Sequence, residues 1–101
     1  MITRVWRGWA RTDVADAHDR HYRTEGVEAL QDVPGFVGAR LLRRVVGDEV
    51  EFVSRTFFDD LEAVRSFAGP GYETAVVAEP AREVLTRFDS TVAHYDTSFA
   101  T

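Results

Sequence analysis

Cysteine is absent from the 101-residue chain, which excludes a disulfide framework, a thiolate metal site and a cysteine nucleophile at once. Lysine is absent as well, so all 12 basic residues are arginine, set against 17 acidic ones for a net charge of −5. That acidic surplus leaves no concentrated positive field to hold a phosphate backbone, and nucleic acid is not an expected partner. No apolar run is long enough to cross a bilayer, and Arg4 and Arg7 interrupt the opening MITRVWRGWA, which therefore lacks the core of a secretory signal. The expectation is a protein of the cytoplasm with no membrane contact. No glycine-rich phosphate loop, no Gly-x-Ser-x-Gly and no carboxylate cluster of metal spacing occurs. Chemistry falls to His, Tyr, Trp, Arg, Ser/Thr and the carboxylates.

What is present is 45% hydrophobic, 12% aromatic and 29% charged, the composition of one small globular domain over residues 1–101. Ile2 to Ala10 is rich in β-branched and aromatic residues and reads as a strand. Thr12 or Asp13 is then expected to cap a helix carrying Val14, Ala17, His18, His21, Tyr22 and Glu25 at helical spacing, ended or kinked at Gly26. VEALQ adds a short turn of helix before Pro34-Gly35 breaks it.

Phe36 to Val46 and Glu49 to Phe58 are two strands joined by Gly47-Asp48, a loop of the length and chemistry of a tight primed turn. That loop sets the register: Arg44 opposite Glu51, Leu42 opposite Val53, Arg40 opposite Arg55. Val50, Phe52, Ser54, Thr56 and Phe58 then share a core face with Val37, Ala39, Leu41 and Val45. Asp59 or Asp60 caps a helix through Ala68, stopped by Gly69-Pro70-Gly71. Tyr72–Ala78 and Ala81–Phe88 are expected to be helical, before a last strand over TVAHYDTSF. The order strand, helix, strand, strand, helix, strand predicts a ferredoxin-like α+β sandwich with a four-stranded antiparallel sheet. Its uncovered face would show Leu42, Val53, Phe57 and a tryptophan, which predicts a homodimer packed sheet on sheet.

ITRVWRGW, VPGFVGARLLRR, EVEFVSRTFFDDLEAVRSFAG and AHYD together resemble the antibiotic biosynthesis monooxygenase group of dimeric α/β-barrel proteins over nearly the whole length. The resemblance implies a dimeric barrel and an activity within a range that includes metal-free and flavin-free oxidation of polycyclic aromatics and haem degradation. The group's W-x-[STD]-x-E-A pattern stands here as Phe58, Asp60, Glu62 and Ala63, its preceding asparagine as Ser54, and its helix histidine as Phe67. Two usual groups of quinone-forming oxygenation and the helix histidine are thus replaced, and any catalysis is expected to use no cofactor and no metal.

His94, central in VAHYD, is the first candidate acid or base, and Tyr72 beyond Gly-Pro-Gly is a candidate lid over a pocket entrance, both expected to line one cavity with His18 and His21. His18, His21 and Tyr22 share one helical face and, with Ser54, Phe58 and Phe67, are the candidate lining of a cavity for a small hydrophobic substrate. The two histidines alone lack the third ligand of a metal site. Trp6 and Trp9, three apart on a strand, must face opposite ways, one to the cavity and one to the dimer side. Arg40 and Arg55 face each other without a carboxylate directly opposite, and a salt-bridge network across the dimer is expected to offset them. The sequence supports a cofactor-independent monooxygenase acting on an aromatic or polyketide-type metabolite, a polyketide cyclase or isomerase, or a non-catalytic small-molecule-binding dimer.

Overall fold

A computed structural model describes all residues 1–101. Strand β1 (Ile2–Arg11) is followed by helix α1 (Ala15–His21), a π-helical stretch over Tyr22–Gly26 and helix α2 (Val27–Gln31). Strands β2 (Phe36–Val46) and β3 (Glu49–Phe58) form the hairpin, and helix α3 (Leu61–Ala68) succeeds them. Helix α4 (Glu79–Val84) leads directly into β4 (Leu85–Phe88), and β5 (Ala93–Asp96) closes the chain's regular structure. The sheet is antiparallel in the order β2-β3-β1-β4, with β5 also on β1, and so has the ferredoxin-like arrangement.

The hairpin register is the expected one: Arg44 faces Glu51, Leu42 faces Val53 and Arg40 faces Arg55. Gly47 has φ +64°, the left-handed backbone a two-residue primed turn demands. Asp60 accepts a hydrogen bond from the Ala63 amide at 2.9 Å and caps α3, and Gly69 ends it.

Three local expectations are corrected. Neither Thr12 nor Asp13 caps α1, whose N-cap is Val14 without a side-chain bond; Asp13 pairs with Arg11 instead. Gly26 does not end the helical segment, because the backbone widens into a π turn and continues to Gln31. Residues 72–78 are not helical, and Leu85–Phe88 is a strand. The cause is the outer edge of β1, whose unpaired backbone groups need partners. β4 satisfies one stretch of that edge beside Gly8–Ala10, and β5 satisfies another beside Ile2–Val5, so the predicted fourth strand is two collinear pieces in a five-stranded sheet. Tyr72–Ala78 is held by the link between them: Ala75 donates to the Ser90 carbonyl and Glu73 accepts from the Val92 amide.

Helices cover one face of the sheet, and the apolar packing there divides in two. Ala10, Ala15, Val50, Phe52, Ala81 and Leu85 form one cluster, and Leu30, Phe58, Ala63 and Val64 form the other. Between them, the inner face of β3 presents Ser54 and Thr56, with Trp6 and Arg4 beside them on β1. Arg43 stacks its guanidinium 5.2 Å over Phe52 and bonds Asp16 and Asp19 at 3.0 Å each, fastening α1 to the sheet. No helix is long and apolar enough to cross a membrane.

Gly35 closes the turn onto α3 with φ +85°, and a Cβ there would lie 2.7 Å from that of Ala63. Gly35→Ala is therefore expected to lower stability by about 1–3 kcal/mol in urea unfolding. Gly71→Ala, where a Cβ meets nothing within 4 Å, should stay within about 0.5 kcal/mol of the parent.

Candidate active site

The gap between the two apolar clusters is a cavity of about 280 Å³ under the α1–π–α2 segment. Trp6, Arg4, Ser54 and Thr56 rise from the sheet. His18, His21, Tyr22 and Glu25 descend from the helical segment, Phe67 enters from α3, and Val76–Ala78 form another wall. The π turn places His21, Tyr22, Glu25 and Gly26 together on this wall. The Trp6 indole is fixed by donating to the Asp89 carbonyl at 2.6 Å.

Three polar groupings border the space. Tyr22 and Ser54 share a hydroxyl–hydroxyl hydrogen bond of 2.9 Å, and burial raises the Tyr22 phenol above its ordinary value, so it stays a donor. His21 sets Nδ1 3.1 Å from a Glu25 carboxylate oxygen, one helical turn along. In the neutral ring this fixes the proton on Nδ1 and leaves the lone pair on Nε2, the orientation a carboxylate imposes on an acid–base histidine. His18 is 2% exposed, packs edge-on to Phe52 at 4.7 Å, and has no hydrogen-bond partner at either ring nitrogen. Burial, reinforced by His21, pushes its pKa down to about 4 and keeps it neutral.

His94 and Tyr72, expected on this cavity, instead meet ring edge to face at 5.2 Å around a separate shallow depression with Ile2, Leu61 and Glu73. His94 lies on the helix-covered side, opposite Arg4 in the β1–β5 pairing. Its Nε2 is 2.8 Å from Arg4 Nη1, which also donates to the Tyr72 carbonyl at 2.6 Å. A guanidinium only donates, so the His94 lone pair is occupied, and burial followed by the Arg4 charge lowers the His94 pKa. Trp6, His18, His21, Tyr22, Ser54 and Phe67 thus converge on the cavity. Phe58 is buried in the second apolar cluster and does not line it.

Trp9 faces the opposite side of the sheet, opposite Glu51, sandwiched by Arg7 at 5.4 Å and Arg87 at 4.1 Å. It is covered by arginines within its own chain, contrary to the expectation of an exposed tryptophan there. Arg4 and Glu25 were missed as site residues, although both signals are in the sequence. Arg4 alternates with Trp6 on a strand, and Glu25 stands four residues after His21 on a helix.

The fold defined by this sheet is similar to that of solved oxygenase and haem-degrader structures. Crystal structures of SnoaB, a cofactor-independent oxygenase from Streptomyces nogalater, match at 22% identity over 98% of this chain and 94% of that one, with a TM-score of 0.66. The heme-degrader MhuD from Mycobacterium tuberculosis, with two hemes bound in its active site, matches at 20% identity over 100% and 99% of the two chains, also at 0.66. An antibiotic biosynthesis monooxygenase matches at 18% identity over 96% and 98%, at 0.60. The fold implied by the sequence resemblance is therefore the fold found. By sequence, no family model and no curated protein matches the chain.

His18 gives stability a definite pH dependence. Its pKa is 6.5 when unfolded and about 4 when folded, so the unfolded chain takes up the proton first as pH falls. The contribution is complete above about pH 6.5 and is lost toward pH 4, to the extent of about 3 kcal/mol. Urea midpoints measured from pH 7 to pH 4 should fall, and His18→Phe should flatten that slope, leaving the part due to His94 and to the lowered carboxyls of Asp19 and Glu49.

Proposed function

We propose that the chain is a cofactor-independent monooxygenase acting on a small fused-ring phenol held in this cavity. The observation that carries the reading is the placement of the His21–Glu25 pair on the wall of an apolar cavity that Trp6 and Phe67 also line. A cavity of about 150 Å³ holds one benzene ring, so about 280 Å³ accommodates two fused rings. A tetrapyrrole does not fit that volume, and α3 contributes Phe67 there rather than a ligand. The fold shared with SnoaB, a cofactor-independent oxygenase, supports a monooxygenase-like role.

In this reading His21 Nε2 takes the phenolic proton, with Glu25 orienting the ring and stabilising the imidazolium. The Tyr22–Ser54 hydroxyl pair donates to the resulting oxyanion. The electron-rich phenolate gives one electron to dioxygen, and the radical pair joins through a new carbon–oxygen bond at the para carbon. The peroxide loses water to leave a para-quinone. For α-naphthol the balance is one naphthol and one dioxygen to one para-naphthoquinone and one water, with the substrate as the only reductant. Apolar walls exclude bulk water from the anion.

The functional unit in this proposal is a homodimer. On the uncovered sheet face Leu42 is 41% and Tyr95 58% exposed, beside half-buried Val5, Val53 and Phe57. Arg40 and Arg55 face one another there without an ion-pair partner in the chain. A twofold copy packed on this face would cover both features.

Purified protein with α-naphthol should consume oxygen and yield the quinone above background, and His21→Ala should lower the rate by about 100-fold or more. Quinone formation unchanged in His21→Ala would overturn the assignment. Naphthol recovered intact with a raised melting temperature would identify a binding module, and a converted substrate without oxygen uptake a cyclase or isomerase. Light scattering at micromolar protein should give twice the chain mass, and a single-chain mass would remove the dimer.

A further inference from the structure

Arg4 is a charged side chain in the wrong place for a simple fold. It sits on the inner face of β1, is 6% exposed, and borders both the apolar cavity and the His94–Tyr72 contact. Taking a guanidinium out of water costs several kcal/mol unless an anion and hydrogen-bond acceptors replace the water. Even arginines that are more exposed than Arg4 have a carboxylate: Arg43 has Asp16 and Asp19, Arg44 has Glu51, and Arg87 has Glu49. Arg4 has none. Its acceptors are two neutral groups, the Tyr72 carbonyl and His94 Nε2, both taken by Nη1, and the Phe67 ring face lies 5.7 Å from its Cζ.

The remaining donors, on Nε and Nη2, have no protein acceptor, and they are not among the fully enclosed unpartnered atoms, which belong to His18 alone. They therefore remain accessible on a residue that lines the cavity. Consistent with a cation lacking a counter-charge, burial lowers the Arg4 pKa to about 10. The group still carries its charge at neutral pH. Two free donors of one planar guanidinium present the fork that matches the two oxygens of a carboxylate.

We infer that Arg4 is the specificity-determining anion receptor of the cavity and that the substrate is a fused-ring aromatic bearing a carboxylate, with His94 as the residue that positions the guanidinium. The inference rests on the reading of the cavity as an aromatic site, and it adds the chemical class of the molecule that enters. The carboxylate supplies the counter-charge that the chain lacks, and the phenolic end of the same molecule meets His21. His94 acts through its neutral ring: with the proton on Nδ1, Nε2 accepts from Nη1 and turns the opposite edge of the guanidinium to the ligand.

The test is calorimetric titration of the full chain at pH 7 with naphthalene carboxylate and with the corresponding neutral carboxamide. The carboxylate is expected to bind at least tenfold more tightly, and Arg4→Met should erase that preference while keeping affinity for the amide. His94→Ala should reduce the preference, and His94→Gln, whose side-chain oxygen accepts from Arg4, should restore it; a purely structural role would show no such rescue. Equal affinities of the parent protein for the two probes overturn the carboxylate assignment and leave the aromatic site standing. Binding of neither probe overturns both. A preference that survives Arg4→Met removes Arg4 as the receptor even where the parent shows it.

Discussion

The structure depends on an interruption. Along the inner face of β3 the residues run Val50, Phe52, Ser54, Thr56, Phe58, and on the neighbouring β1 they run Ala10, Gly8, Trp6, Arg4, Ile2. The two ends of this double row are apolar and each anchors its own cluster, whereas the middle is hydroxylated and charged. Side chains there cannot fill the space as leucine or phenylalanine would, so close packing fails locally and a cavity results. The chain gives up buried apolar area at its centre, where a domain of this size has little to spare. The Arg43 tie to Asp16 and Asp19, and the two strands sharing one edge of β1, hold the layers together around that deficit.

The same interruption explains why the polar groups of the cavity come from different elements. Sheet residues supply the aromatic floor and the cation, while the helical segment brings the imidazole and the phenol. The helical segment, running through the π turn, sets His21, Tyr22 and Glu25 on one wall. Neutral His18 lines the same cavity and packs edge-on to Phe52, its nitrogens without partners.

How much of this was legible depended on whether the signal was local. The Gly47-Asp48 hairpin, its register, the Asp60 cap and the opposite facing of Trp6 and Trp9 follow from turn chemistry and two-residue alternation, and the structure has them all. Leu85–Phe88 was misread as helix because its conformation is set by the free edge of β1, a partner some 75 residues away that leaves no trace in the segment itself. His94 and Tyr72 touch one another but lie outside the cavity of His18 and His21 that they are expected to line, and the contact of His94 with Arg4 is one that only the β1–β5 pairing reveals. The covering of Trp9 by Arg7 and Arg87 is likewise a cross-strand arrangement that composition does not show.

Strand β2 lies at the rim of the sheet, and one of its sides has no neighbour. An unpaired strand of eleven residues is a template on which another chain could add. Here it carries Arg40, Arg43 and Arg44, and an irregularity between Phe36 and Gly38 disturbs its pairing at one end. Two such rims brought together would set arginine against arginine, and the bent end would not align. The arginines that pin α1 and ring the outer face thereby also discourage open-ended strand addition along this rim.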